Sequence, residues 1–114
     1  MTETKLSQKH CVACEGIGKA LEANRAKEML RSIPGWKIDP AGKKIIKKFQ
    51  MKNFMAAVRL INEIAKVAEE ENHHPDLHLT DYRGFKIELS THALCGLSEN
   101  DFILAAKINE LPLK

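Results

Sequence analysis

Residues 69–76 have the sequence Glu-Glu-Glu-Asn-His-His-Pro-Asp, and a helical pattern stops here while a strand pattern begins. Proline disfavours helical backbone angles in the residue before it, so Pro75 predicts a helix that ends by about His73 and an extended His74. The two adjacent rings should therefore point in different directions from one corner of the fold. An unperturbed imidazole is about one-quarter protonated at pH 7, so this corner offers both a proton donor and a proton acceptor. We interpret it as the centre of an acid–base site.

A long amphipathic helix precedes this corner. Asn53 is a suitable N-cap. Apolar residues then recur at three- and four-residue intervals: Phe54, Ala57, Val58, Ile61, Ile64, Ala65 and Ala68. We interpret this stripe as part of the hydrophobic core and not as a cofactor site.

Two strands follow the corner. Residues 77–80 and 85–89 both alternate apolar and polar side chains, and residues 81–84 supply a turn between them. The second strand is the cleaner of the two, and it ends at residues 90–92, Ser-Thr-His. The sequence therefore predicts a β-hairpin that carries a further histidine at its exit.

The rest of the sequence completes the fold class. Spacing predicts a helix over 21–33, a hairpin of strands over 36–39 and 43–49, and a last helix with Ser98 as N-cap and Asp101 at the capping-box position. The order is helix, strand, strand, helix, strand, strand, helix. Hairpin connections imply an antiparallel sheet with the helices on one face, an α+β architecture.

Length and composition limit the class of protein. The chain has 114 residues, 44% of them hydrophobic, and a formal net charge of +3, which indicates one soluble domain. The lysines are scattered among acids, so we expect no nucleic-acid partner. No apolar run is long enough for a signal peptide or a membrane span. Three cysteines form no even disulfide set, which favours the cytoplasm.

We expect residues 1–20 to form a loosely ordered arm and residues 21–114 to form the single domain. Cys11 and Cys14 of the arm make a Cys-x-x-Cys motif, which is half of a zinc site or a redox pair. Because a second pair is missing, two reduced thiols on a surface-packed tail are favoured. Zinc, shared between chains, and redox chemistry stay open as alternatives.

The histidines are unevenly distributed, since four of the five lie in one-third of the sequence: His73, His74, His78 and His92. Acid–base catalysis, metal binding and purely structural roles are the competing hypotheses. Adjacent histidines with a distant third can ligate zinc or iron. The expected divergence of His73 and His74 weighs against a metal, and we favour acid–base catalysis.

Three glutamates crowd the predicted end of the long helix. Glu69 lies one turn before His73 and could hold the tautomer of that ring. We expect Glu70 and Glu71 to belong to a solvated charged turn.

Seven residues have a spacing that resembles the signature of the pterin-4a-carbinolamine dehydratases: Glu69, His73, His74, Pro75, Tyr82, His92 and Asp101. Further segments of the sequence agree with the same family: Pro34-Gly35-Trp36, Ser90-Thr91-His92 and Gly96-Leu97-Ser98. The resemblance runs from about residue 21 to the end of the sequence.

The resemblance implies a four-stranded antiparallel sheet with three helices on one face, assembled as a homodimer or homotetramer. It implies dehydration of 4a-hydroxytetrahydrobiopterin to quinonoid dihydropterin, which recycles tetrahydrobiopterin for an aromatic amino-acid hydroxylase. No metal or organic cofactor is needed. The residues that correspond to the family's active site are His73, His74 and His92, with support or substrate contacts from Glu69, Asn72, Pro75, Ser90 and Thr91.

The chemistry suits these groups, because a protonated imidazole can donate to the departing hydroxyl while a neutral one accepts the N5 proton. We interpret His73 and His92 as the exchanging acid and base, and His74 as the residue that orients the hydroxyl. A second hypothesis is a non-catalytic binding module, since animal members of the family also act as dimerisation cofactors for a hepatocyte nuclear factor.

Overall fold

The computed structural model describes residues 6–11 and 19–112, which follow the order helix, strand, strand, helix, strand, strand, helix. The predicted order and the α+β class are confirmed. None of the helices in these two ranges is long and apolar enough to cross a membrane. The elements have these bounds: α1 Ala23–Leu30, β1 Lys37–Ile38, β2 Ile45–Gln50, α2 Phe54–Glu71, β3 Asp76–Thr80, β4 Gly84–Leu89 and α3 Glu99–Asn109.

The strands form one antiparallel sheet in the order β1-β2-β4-β3. On β4 the side chains alternate as predicted: Phe85, Ile87 and Leu89 are at most 2% exposed, whereas Lys86 and Glu88 face the other way. All three helices contribute residues to the core that covers the apolar face. The helices therefore lie on one face of the sheet, and the opposite face is polar.

The β3–β4 hairpin brings two separate parts of the sequence to one end of the sheet. Asp76, at the start of β3, pairs with Glu88 near the end of β4. Asp81 and Tyr82 in the turn both have φ of 53°, a conformation typical of tight hairpin turns. His73 before β3 and Thr91 after β4 consequently belong to the same end of the sheet, and Tyr82 belongs to the opposite end.

Helix α2 has a defined cap at each end. The Asn53 side chain accepts a hydrogen bond from the Ala56 backbone N–H at 2.8 Å, which confirms the predicted N-cap. At the other end Asn72 is left-handed, with φ of 51°, and the His73 backbone N–H donates to the Ala68 carbonyl at 3.1 Å. The helix therefore ends at Glu71, slightly earlier than the proline alone predicts.

The buried face of α2 differs from the predicted stripe at its margins. Ala57, Ile64 and Ala68 are buried as expected, but Phe54 is 49% exposed and Ala65 is also exposed. The face that meets the core is centred on Leu60, so the outer members of the predicted stripe are turned towards solvent.

Helix α3 is buried along residues 100–106. Positions 102–106 are all apolar, and a helix of that kind needs cover on more than one side. Residues 6–11, which we call the strap, supply part of this cover: Lys107 donates to the Ser7 carbonyl at 2.9 Å and Lys9 pairs with Glu99 at 3.2 Å. The prediction of a loosely ordered arm is wrong for the strap, and residues 12–18 lie outside the described ranges.

Candidate active site

His73 is the buried histidine of the corner. It is 7% exposed, and its Nε2 atom lies 2.6 Å from Oδ1 of Asp101, which is fully buried. The neighbouring His74 has a side chain that is 54% exposed. The two rings therefore diverge as predicted, because α2 ends at Glu71 and the left-handed Asn72 separates the histidines from the helix, so that His73 bonds to Asp101 and His74 to Glu69.

Asp101 joins three separate elements. Its Oδ2 atom accepts from the Thr91 hydroxyl at 2.9 Å and from the Ser98 backbone N–H at 3.0 Å, and its Oδ1 atom meets His73. The Thr91 and Ser98 hydroxyl oxygens lie 2.7 Å apart. A carboxylate removed from water is costly unless donors satisfy it, and these donors do so. One side chain thus caps α3 and holds the ring of His73.

Glu69 contacts His74 and not His73. One of its carboxylate oxygens is hydrogen-bonded to His74 Nε2, and both side chains are exposed. The prediction that Glu69 orients His73 is therefore wrong about its partner. The reason is geometric: the four-residue spacing holds only within a helix, and the backbone has already turned away at Asn72.

His92 begins the 3-10 turn His92–Leu94 and is exposed. The residue before it, Thr91, is 1% exposed and bonds to Asp101, so the turn that carries His92 is connected to His73 through one carboxylate. Ser90 is half-buried between the end of β4 and Thr91. The predicted residues of the β4 exit therefore adjoin the predicted residues of the helix end.

Asn72 and Pro75 shape the backbone of the corner. Asn72 is exposed and adopts the left-handed conformation that asparagine tolerates better than most residues. Pro75 is half-buried and lies between His74 and the start of β3. Asn72 and Pro75 therefore flank His73 and His74 in the short connection between the end of α2 and the start of β3.

His78 belongs to a different part of the molecule. It lies on β3 opposite Lys86, on the polar face of the sheet, and its Nε2 atom is 2.9 Å from Glu88. Partial burial by itself would raise the pKa of Glu88, but hydrogen bonds from His78 and Lys44 and the charge of Lys86 outweigh it and lower this pKa. His78 is thus outside the corner that holds His73.

Glu71 is buried, contrary to the prediction of a solvated turn. Its side chain is only 2% exposed. It accepts from the Cys11 backbone N–H at 2.7 Å, and its other oxygen is 2.8 Å from His10 Nδ1 and 3.7 Å from Lys107 Nζ. Burial alone would raise the pKa of Glu71, yet these partners bring it below its ordinary value.

The Cys11 side chain is half-buried, and its sulfur lies 3.6 Å from the Asn100 carbonyl oxygen of α3. Burial, and then the charges of Glu71 and Asp101, raise the pKa of this thiol to about 12. A thiol that stays protonated is a poor nucleophile, so Cys11 should react slowly while the strap is docked. Cys14 lies outside the described residues, so its part of the motif stays a prediction.

Within residues 6–11 and 19–112, no three histidine, cysteine, aspartate or glutamate side chains are grouped so that they could hold a metal ion. A surface groove of about 540 Å³ lies between α2 and Pro112. It contains none of the histidines and is lined by Ala56, Arg59, Leu60, Asn62, Glu63, Lys66 and Pro112. The groove is therefore separate from the corner.

The most important contact that the sequence did not reveal is the bond between Asp101 and His73. Capping-box spacing explained Asp101 as a helix cap, and that cap is present. The sequence holds one further indication of this contact. Asp101 directly precedes five apolar residues, so the helix that it starts must be buried. A carboxylate in that position needs buried donors, and an imidazole is one of the donors available.

The fold and the site together define a class: an α+β protein with a buried imidazole–carboxylate pair and exposed histidines at one end of its sheet, suited to proton transfer. The chain belongs to the pterin 4 alpha carbinolamine dehydratase family, whose model matches residues 19–111. The resemblance deduced from the spaced signature is confirmed.

Relatives of known name agree with this family. The chain is 42% identical over 112 residues to pterin-4-alpha-carbinolamine dehydratase 2, mitochondrial, of Arabidopsis thaliana, and the match covers 96% of this chain and 60% of that one. It is 40% identical over 106 residues to a putative pterin-4-alpha-carbinolamine dehydratase of Halorhodospira halophila, covering 93% and 96% of the two chains.

Solved structures agree as well. A transcriptional coactivator/pterin dehydratase from Brucella melitensis superposes with a TM-score of 0.74 at 30% identity, covering 80% of this chain and 96% of that one. A pterin dehydratase-like protein described as a RuBisCO assembly factor in the alpha-carboxysome has a TM-score of 0.55 at 18% identity, covering 66% and 86%. The second likeness concerns the fold alone.

Proposed function

We propose that this protein dehydrates 4a-hydroxytetrahydrobiopterin, a pterin-4a-carbinolamine, to quinonoid dihydropterin and water by histidine acid–base catalysis. The observation that carries the proposal is the buried bond between His73 and Asp101, at the end of the sheet where His74 and His92 also lie. Family membership supports the same substrate class.

The reaction requires two proton transfers. The C4a–O bond breaks and the hydroxyl leaves as water, so it must receive a proton from a protonated imidazole. The N5–H bond breaks as the N5=C4a double bond forms, so a neutral imidazole must accept that proton. The protons balance, and the chain's own histidines supply both groups.

His73 suits the role of the base. Its Nε2 atom is engaged by Asp101, so in the neutral ring Nε2 carries the hydrogen and Nδ1 has the free electron pair. Asp101 also stabilises the imidazolium that forms when the ring accepts a proton, as carboxylates do beside catalytic histidines. Asp101 is a positioning residue in this scheme, because it acts through His73.

His92 and His74 act on the hydroxyl side. We assign the acid to His92, which is exposed and free to re-protonate from solvent. We assign the orientation of the hydroxyl to His74, whose ring is held by Glu69. Thr91 contributes through Asp101, while Asn72, Pro75 and Ser90 shape the pocket around the pterin.

The remaining parts of the proposal concern the setting of the enzyme. We infer that it works in the cytoplasm as a homodimer or homotetramer, without a metal or organic cofactor. We infer also that it serves tetrahydrobiopterin recycling for an aromatic amino-acid hydroxylase. These inferences rest on the family and on the composition, and they extend the activity without changing the site.

Alanine variants at positions 73, 74 and 92 test the activity. We expect each to lower the rate of 4a-hydroxytetrahydrobiopterin dehydration by about 10²-fold or more, a common acid–base contribution. His78→Ala is the matched control, because it removes a histidine and a carboxylate contact on the polar sheet face, and it should keep the wild-type rate. If the triple variant were folded and as fast as wild type, the catalytic role would be lost.

A binding module is the second candidate. The Brucella relative is described as a transcriptional coactivator as well as a pterin dehydratase. The surface that favours such a role here is the start of α2, where Phe54 and Met55 are 49% and 58% exposed. A wild-type protein that is folded but inactive would support this candidate. Partner capture abolished by changes at Phe54 and Met55, and unaffected by the triple histidine variant, would identify the surface.

A further inference from the structure

The strap is fastened along the whole of α3. Near the C-terminal end of the helix, the Ser7 hydroxyl donates to Glu110 at 2.6 Å and Lys107 donates to the Ser7 carbonyl at 2.9 Å. Near its start, Lys9 pairs with Glu99 at 3.2 Å. Leu6 packs against the hydrophobic core. The strap is therefore a docked part of the fold.

The far end of the strap is anchored on Glu71. The Cys11 backbone N–H and the His10 ring lie 2.7 Å and 2.8 Å from its two carboxylate oxygens. Because the Glu71 side chain is 2% exposed, losing these partners would leave a desolvated charge or force the carboxylate out towards water. The strap and the last turn of α2 consequently depend on each other.

Glu71 is also the last residue before the catalytic corner. Asn72 follows it in the left-handed conformation, and the His73 backbone N–H closes the helix end on the Ala68 carbonyl. The Cys11 sulfur lies 3.6 Å from the Asn100 carbonyl oxygen, directly before Asp101. One end of the strap thus contacts both elements that carry the His73–Asp101 pair.

We propose that the strap positions the proton-transferring histidines: by clamping Glu71, it fixes the end of α2 from which His73 and His74 project. Glu71 is then a positioning residue for the reaction, and the strap is a working part of the active site. This inference rests on the proposed dehydratase function. It differs from a role in covering apolar surface alone, because a cover would affect folding without affecting turnover.

A substitution at the anchor tests the proposal within the full chain. Glu71→Gln keeps the size of the side chain and removes its charge, and Glu70→Gln is the matched control on the exposed neighbour. Cys14→Ser and Cys95→Ser in the same background leave Cys11 as the single thiol. Hydrogen exchange of the Cys11 backbone amide, which donates to Glu71, then reports strap release without any pterin, and alkylation of Cys11 is measured beside it.

We expect Glu71→Gln to accelerate exchange of the Cys11 amide and to raise the rate of Cys11 alkylation by at least about tenfold, because the thiol loses both its burial and the neighbouring charge of Glu71. Amide exchange at Asn72 and His73 should accelerate in parallel. In the same variant kcat should fall by between about tenfold and 10²-fold, with KM little changed, since misplaced catalytic groups slow the chemical step. Glu70→Gln should match wild type in every measurement.

Two results would overturn the proposal. If the Cys11 amide exchanged faster and the thiol became reactive while kcat kept its wild-type value, the strap would be a cover and not a positioning element. If Cys11 stayed as unreactive as in wild type, Glu71 would not be the anchor. Absence of dehydration by the wild-type chain would instead count against the proposed function, while the alkylation and exchange measurements would still test the clamp.

Discussion

Two histidine–carboxylate pairs in this molecule have nearly the same geometry and opposite surroundings. The His73–Asp101 pair has a separation of 2.6 Å, with side chains 8% and 0% exposed. The His78–Glu88 pair has a separation of 2.9 Å, with side chains 43% and 11% exposed. A search for paired residues would find both, yet only the first lies at the predicted catalytic corner.

The difference between the pairs lies in what else the carboxylate binds and how much water reaches it. Asp101 is shared with Thr91 and with the start of α3, so the orientation of the His73 ring is fixed by three elements. Glu88 is itself 11% exposed, but its partners Lys44, Lys86 and His78 are 38–43% exposed, so solvent screens each interaction. Burial within a shared network, and not pairing alone, distinguishes the histidine that we propose as catalytic.

The largest expected effect contrasts the two carboxylates directly. Asp101→Ala should lower the free energy of unfolding by about 3–5 kcal/mol, the usual loss when a buried pair is broken and its donors are left unsatisfied. Glu88→Ala should cost less than about 1 kcal/mol, as exposed pairs do. Chemical denaturation of both variants at pH 7 measures the two values. Equal losses would contradict the contrast between the pairs.

The next prediction compares the stability effects of two threonine hydroxyls, one buried and one exposed. Thr91→Val removes the hydroxyl that donates to Asp101, and it should cost about 1–3 kcal/mol because buried polar partners lose a bond. Thr80→Val removes an exposed hydroxyl 3.4 Å from the Gly84 carbonyl and should cost less than about 0.5 kcal/mol. Thermal unfolding of the two variants makes the comparison, and a costly Thr80→Val would show that exposure is the wrong criterion.

The smallest expected effect is the contribution of Glu88 to the pH dependence of stability. Because the pKa of Glu88 is lower in the folded state, the unfolded chain binds the proton more readily as pH falls, and the ionised form stabilises the fold above pH about 4.5. Glu88→Gln should therefore be less stable than wild type near pH 6, by less than about 1 kcal/mol. The gap should close below the folded-state pKa. Denaturation curves at several pH values measure it, and a gap that widens in acid would contradict the assignment.

Local interactions explain which parts of the fold were predictable. The alternation of β4, the Asn53 cap and the Ser98–Asp101 cap each involve residues within a few positions, so the sequence carries the whole signal. The hairpin register then follows from the pattern, and it accounts for the meeting of the helix end with the β4 exit.

The unpredicted features all depend on contacts between distant residues. Asp101 lies 28 positions from His73, and Glu71 lies 60 positions from Cys11, so no periodicity connects them. The predicted contact between Glu69 and His73 depends on the four-residue spacing of a helix. This spacing no longer holds after Glu71, where α2 ends. A buried acid satisfied by remote donors has the same local sequence as a solvated one, which is why Glu71 was misjudged.

The two roles of Asp101 affect which residues are expected to be lost when the sequences of proteins with this fold diverge. Because the same carboxylate caps α3 and orients His73, selection for a stable protein alone would retain the aspartate even after catalysis had ceased to matter. His74 and His92 have no such protection, since both are exposed and contribute little to the core, whereas His73 is buried against Asp101. A descendant that gave up chemistry for another task would therefore be expected to lose His74 and His92 first, and the buried His73–Asp101 pair last.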